Sequence, residues 1–112
     1  MSLGTLEFEI LNSIWKLQAI DEDMNISVKD VVDNMSANGL ERAYTTVKTV
    51  MDRLSSKDLL VRYRAGKKFF YKTVMDKNEM ANSAIRELSR QFFDNDTVKM
   101  IRFIEAECLD LV

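Results

Sequence analysis

The sequence predicts a mainly α-helical chain with one small β-hairpin, and three observations carry that prediction. Apolar residues recur at helical spacing through most of the chain. The spacing switches to alternation once, over residues 59–73. Helix-breaking residues are scarce: proline is absent, and glycine occurs only at Gly4, Gly39 and Gly66. A length of 112 residues allows one domain with a short appended element. Apolar side chains at 46% and charged ones at 30% are the balance of a folded globular chain rather than a disordered one.

Residues 5–18 read as the first helix, with Thr5 as its N-cap. Leu6, Ile10, Ile14 and Leu17 keep the 3.6 period, Phe8 and Leu11 widen the stripe, and Trp15 is expected in the core. Asp21-Glu22-Asp23 reads as a loop. Ser27 then caps a second helix, with Asp30 three residues on and Ile26 and Val31 at the positions of a hydrophobic staple. Val28, Val31, Val32 and Met35 supply its buried side, and Asn38-Gly39 ends it. A third helix spans about residues 43–57. On a helical wheel Val47, Val50, Met51 and Leu54 share one side; Thr45, Thr49 and Asp52 lie opposite, flanked by Thr46, Lys48 and Arg53. Two short helices joined compactly after another helix give the outline of a helix-turn-helix.

Residues 59–64 and 68–73 alternate and flank Ala65-Gly66-Lys67, which predicts a hairpin. Arg62, Arg64, Lys67 and Lys68 gather towards its tip, as in the wing of a winged helix-turn-helix. From Asp76 helical spacing returns. Asp76 and Glu79 have capping-box spacing, and Ala81, Ala84, Ile85, Leu88 and Phe92 form one face. After Asp94-Asn95-Asp96 a last helix carries Val98, Ile101, Ile104, Cys108 and Leu111, broadened by Met100 and Phe103. The expected organisation is a winged helix-turn-helix domain over residues 1–74 and a helical region over 75–112. That second region holds more apolar surface than two helices packed together can hide. Dimerisation is therefore expected through Ile85, Leu88, Phe92, Ile101, Phe103, Ile104, Cys108 and Leu111.

The net charge of −2 conceals a strong asymmetry. Residues 1–39 carry −5, residues 40–75 carry +6 and residues 76–112 carry −3. The middle third is a local basic element able to neutralise phosphates. Other function classes find little support. The chain has no histidine, no activated-nucleophile motif and no glycine-rich phosphate loop, so an enzyme is not expected. The single cysteine, Cys108, can form neither an intramolecular disulfide nor a thiolate metal cluster, and it reads as a buried small hydrophobe. The seven methionines are scattered as packing filler; no metal site and no cofactor are expected. No apolar run is long enough for a membrane span, and the N-terminus does not read as a signal peptide, so a cytoplasmic protein is expected.

The third helix is where function concentrates. A helix that reads the major groove needs an apolar face for docking and small polar or basic side chains opposite. Thr45, Thr46, Lys48 and Thr49 fill the N-terminal half of that face without a carboxylate among them. Threonine offers a hydroxyl to base edges and a methyl to thymine, while Lys48 and Arg53 suit the backbone. Lys67 and Lys68 suit phosphates at the wing tip; Arg62 and Arg64 serve either that role or the protection of an exposed strand edge. Arg42 reads equally as a phosphate contact or an exposed flank. The competing class is a winged-helix protein–protein module without DNA binding.

The run Ala43-Tyr44-Thr45-Thr46-Val47-Lys48-Thr49, with Asp52-Arg53-Leu54, Lys57 and Leu59, resembles the signature of the penicillinase-repressor family of bacterial winged-helix repressors. Leu6, Glu9 and Ile10-Leu11 before Trp15, then Val28 and Val31-Val32, and Gly66-Lys67 with Tyr71 add to the likeness. The resemblance implies a homodimer that binds double-stranded palindromic operator DNA through the winged domain and dimerises through the C-terminal helices. It further implies relief by a regulatory protease or an unidentified inducer. Departures are visible. Asp58 stands where the family usually has glycine, the loop Ala19 to Asn25 is longer and more acidic, and no proline follows Tyr71. Copper-responsive members carry clustered cysteines that Cys108 alone does not replace. Antibiotic-responsive members are cleaved between Asn and Phe, where this chain has Arg102-Phe103.

Overall fold

The computed structural model describes residues 3–109, so Leu111 of the expected dimer stripe lies outside the described residues. The order is α1 (Thr5–Ile20), α2 (Val28–Ala37), α3 (Tyr44–Ser56), β1 (Leu60–Ala65), β2 (Lys68–Thr73), α4 (Lys77–Phe92) and α5 (Thr97–Glu107). The chain divides into two compact units, residues 1–77 and 78–112.

In the first unit each helix buries the centre of the face that its periodicity marks, while Phe8, expected to widen the α1 stripe, is exposed, and Leu6, Leu17 and Val32 at the margins are half-buried. Ile10, Leu11 and Ile14 of α1 meet Val31 and Met35 of α2 and Val47, Val50, Met51 and Leu54 of α3; all are buried. The expected N-cap Thr5 is instead the first residue of α1, and Gly4 is the cap. Its backbone N–H donates to Glu7 Oε1 at 3.0 Å, so the carboxylate three residues on fixes Gly4, and not Thr5, as the helix entry. Helix α1 also runs two residues further than expected, to Ile20. Trp15 is half-buried rather than fully core, because its Nε1–H must reach the Met75 carbonyl at 3.1 Å. The α2 cap is as the sequence predicts. Ser27 Oγ accepts from Asp30 N–H at 3.1 Å, and Ser27 N–H donates to Asp30 Oδ2 at 2.9 Å.

The hairpin pairs Leu60 with Thr73, Arg62 with Tyr71 and Arg64 with Phe69, turning at Gly66 with φ +66°. Opposed residues share a face, so one face runs from buried Leu60 and Tyr71 at the base to exposed Arg62, Phe69 and Arg64 towards the tip. Tyr71 N–H also donates to the Ile26 carbonyl at 2.9 Å, which ties β2 to the chain entering α2. Helix α3 ends through Asp58, left-handed at φ +60°, with Leu59 N–H donating to the Leu54 carbonyl at 3.0 Å.

In the second unit α4 and α5 are joined through Asp94 and Asn95, both left-handed. Asp96 caps α5, its side chain accepting from Val98 and Lys99 N–H at 3.0 and 3.2 Å. The Phe93 and Phe103 rings lie 5.3 Å apart. Cys108, expected to be a buried small hydrophobe, is the C-cap and only half-buried, because it stands just past the last turn of α5.

Candidate nucleic-acid interface

Helix α3 is anchored by its buried side, which turns Thr45, Thr46, Lys48 and Thr49 outward; all four are exposed. The helix begins after Ala43 with no side-chain cap and no acidic residue in its first turn. Its partly positive N-terminal end is therefore open to an anion. Thr49 Oγ donates to the Thr45 carbonyl at 2.9 Å, which uses its proton locally and leaves lone pairs and a methyl outward. Thr45 and Thr46 hydroxyls make no such bond within the described residues.

The basic residues are not equally available. Lys48 Nζ lies 2.7 Å from Asp52 Oδ2. Asp52 Oδ1 accepts from the Tyr71 hydroxyl at 2.7 Å and sits 3.7 Å from Arg62 Nη1. The Arg62 guanidinium in turn lies 4.5 Å from the Phe69 ring centre, and that of Arg64 lies 5.4 Å away. This chain of contacts joins the recognition helix to the wing. Lys67 and Lys68 at the tip are exposed and make no ion pair among the described residues.

Arg42 and Arg53 belong to other contacts. Arg42 pairs with Glu9 of α1 at 3.1 Å. Arg53 lies 3.8 Å from Glu7 Oε2, with Lys57 at 2.9 Å from the same oxygen. The structure therefore brings Thr45, Thr46, Lys48, Thr49, Arg62 and Arg64 onto linked elements, while Arg42 and Arg53 are turned towards carboxylates of α1.

Electrostatics follow from these contacts. Burial pushes the Asp52 carboxyl up, but hydrogen bonds from Lys48 and Tyr71 and the charges of Lys48 and Arg62 hold it below the usual aspartate value. Burial, reinforced by the bond to Asp52, pushes the Tyr71 hydroxyl up to about 12, so it remains a donor throughout the physiological range. The Gly4 N–H, then Lys57, hold Glu7 below the ordinary glutamate value despite its burial.

Sequence reasoning did not foresee the parts played by Asp52, Phe69, Tyr71 and Glu7. For Phe69 and Tyr71 the hairpin register, once drawn, places them opposite Arg64 and Arg62. Glu7 meets Lys57 fifty positions away, and nothing local signals that meeting.

The residues of the C-terminal stripe are placed differently. Ile85, Leu88, Phe92, Ile101, Phe103 and Ile104 are all exposed, Phe92 most of all at 71%. In this unit the described residues bury only Ser89 and Met100.

Three packed helices, a compact turn into an exposed polar helix and a basic hairpin define a winged helix-turn-helix protein. A solved structure, the ferric uptake regulator from Francisella tularensis with iron, matches with a TM-score of 0.51 at 23% identity. The match covers 65% of this chain and 53% of that one, so this chain spans about half of that regulator, and the likeness is one of fold. The sequence model described as penicillinase repressor matches residues 3–110, and the chain belongs to that family. A comparison with curated proteins found no match. No described helix is long and apolar enough to cross a membrane, and the described residues contain no group of three or more acidic or cysteine side chains placed to hold a metal ion.

Proposed function

We propose that the chain is a repressor that binds a palindromic operator as a homodimer. Residues 1–74 bind DNA and residues 75–112 dimerise. The observation that carries this reading is the exposed Thr45, Thr46 and Thr49 face of α3 beside cations on the wing, in the segment of +6 charge. In this reading Thr45, Thr46 and Thr49 face base edges, and Lys48, Arg62, Arg64, Lys67 and Lys68 hold phosphates. Arg42 and Arg53 reach the backbone at the flanks once they leave Glu9 and Glu7.

The exposed apolar side chains of α4 and α5 support dimerisation, since an isolated chain carrying them would show water a large apolar patch. Two-fold pairing sets the two recognition helices on half-sites about one helical turn, or a multiple, apart. An inducer or a protease that acts on the C-terminal unit, such as one cutting at Arg102-Phe103, relieves repression by separating the subunits.

Selection of bound genomic fragments supplies the operator, and titration across salt concentrations tests the phosphate contacts. Replacing Lys67 and Lys68 by alanine is expected to weaken binding to every sequence and to shallow the salt slope by about 0.9 per lost phosphate contact. A slope unchanged in that variant removes the wing tip from the interface.

A further inference from the structure

Asp52 is the only carboxylate on the outward side of α3, and it stands among the groups assigned to phosphates. Its two oxygens are divided between Lys48 on its own helix, the Tyr71 hydroxyl and Arg62 on the wing. The arrangement resembles a phosphate held by two cations and a hydroxyl. We propose that Asp52 is an internal counter-ion that competes with the DNA backbone for Lys48 and Arg62, and so restrains sequence-independent binding.

This inference rests on the DNA-binding reading above and deepens it. The physical argument is one of ion exchange. When Lys48 and Arg62 move to phosphates, the DNA releases counter-ions, which drives association. Asp52 is then left without its cations and must recruit one from solution, which takes back part of that gain. All three groups are only partly exposed: the side chains keep 49% of their surface for Lys48, 45% for Arg62 and 35% for Asp52. They are therefore close enough to water to exchange, yet held at contact distance until a phosphate replaces the carboxylate. Loosely docked DNA cannot offer two phosphates at the required places, so in such encounters both cations stay with Asp52.

The test uses a random-sequence duplex and the full chain, titrated at several salt concentrations. Asp52→Asn keeps an acceptor for Tyr71 and removes the charge; Asp52→Ser removes both charge and bulk. Both variants, checked for folding by thermal melting, are expected to bind random DNA about two- to tenfold more tightly, the scale of one or two exposed ion pairs. Their salt slope should steepen by up to about one unit. In a Lys48→Met, Arg62→Met background the same Asp52→Asn change should give no gain. Folded Asp52 variants that bind no more tightly than the parent would overturn the proposal, as would a gain that persists without Lys48 and Arg62. A parent chain showing no salt-dependent binding to any duplex removes the DNA-binding reading itself, a result distinct from either of those.

Discussion

The two units of this chain solve the burial problem in opposite ways. Among the described residues every buried apolar side chain except Met100 lies in the first unit, where three helices and the hairpin base close around Ile14, Met51, Leu54 and Tyr71. The second unit places comparable side chains on two helices and leaves most of them in water. The first therefore holds its shape from within, whereas the second closes only around Met100 and the Phe93–Phe103 ring pair. In the proposed reading, rigidity serves the unit that meets a duplex in register, and openness the unit that pairs with a second chain.

The widest break in that contrast comes from charge placed on the open unit. Leu88→Asp with Ile101→Asp should turn a dimer into a monomer in sedimentation. Operator affinity should fall by about 10²–10⁴-fold, the gain lost when two half-sites are no longer linked. The first unit should stay folded, because neither side chain belongs to its core. An undiminished dimer would place the interface elsewhere.

The closed unit should respond to loss of volume instead. Leu54→Ala leaves a cavity between α3 and its neighbours, and denaturant melts should show a loss of about 2–5 kcal/mol that does not depend on protein concentration. Leu88→Ala in the same experiment should show a loss that grows on dilution.

A finer test lies within the recognition helix. Thr46→Val should reduce the preference for operator over random DNA by about 1–3 kcal/mol where a base contact is lost. Thr49→Val should cost less, since the Thr49 proton is already given to the Thr45 carbonyl and the methyl group survives the change. Equal losses in competition titrations would mean that Thr49 turns its hydroxyl to the DNA on binding.

The smallest effect concerns pH. Glu7 is held below its ordinary value by the Gly4 N–H, by Lys57 and by Arg53. Its folded-state pKa is depressed, so the stability it supplies is complete above the unfolded value and is lost as pH falls through the folded one. Thermal melts of Glu7→Gln should lie below the parent near neutrality, and the two should converge as acid protonates Glu7. A constant gap at all pH values would show that packing, not charge, is what Glu7 supplies.

Much of this was legible in the sequence because helix and strand periods are local. Val47, Val50, Met51 and Leu54 fall on one side of α3 by spacing alone, and Ser27 with Asp30 announces the start of α2. The Gly4 cap was missed because a glycine entry bonded to Glu7 competes with a threonine entry, and the pattern does not say which forms. The pairs Lys57–Glu7, Arg42–Glu9 and Tyr71–Asp52 were not legible, since each depends on how two elements pack. The outward face of α3 could be read in advance; Glu7, the α1 carboxylate beside Arg53, could not.

Asp58 sets the energetic cost of the turn from α3 into the wing. At φ +60° it closes α3 in a conformation that costs a non-glycine residue about 1–2 kcal/mol. Glycine would remove that cost but would lose about 0.5–1 kcal/mol more backbone entropy on folding. Asparagine and aspartate tolerate this region better than other residues, which narrows the difference further. The two choices nearly balance, so either residue closes the turn into the wing at similar cost. The Asp58 side chain is exposed beyond the end of the helix, so Asp58→Gly should leave both the α3 core and overall stability nearly unchanged in a thermal melt.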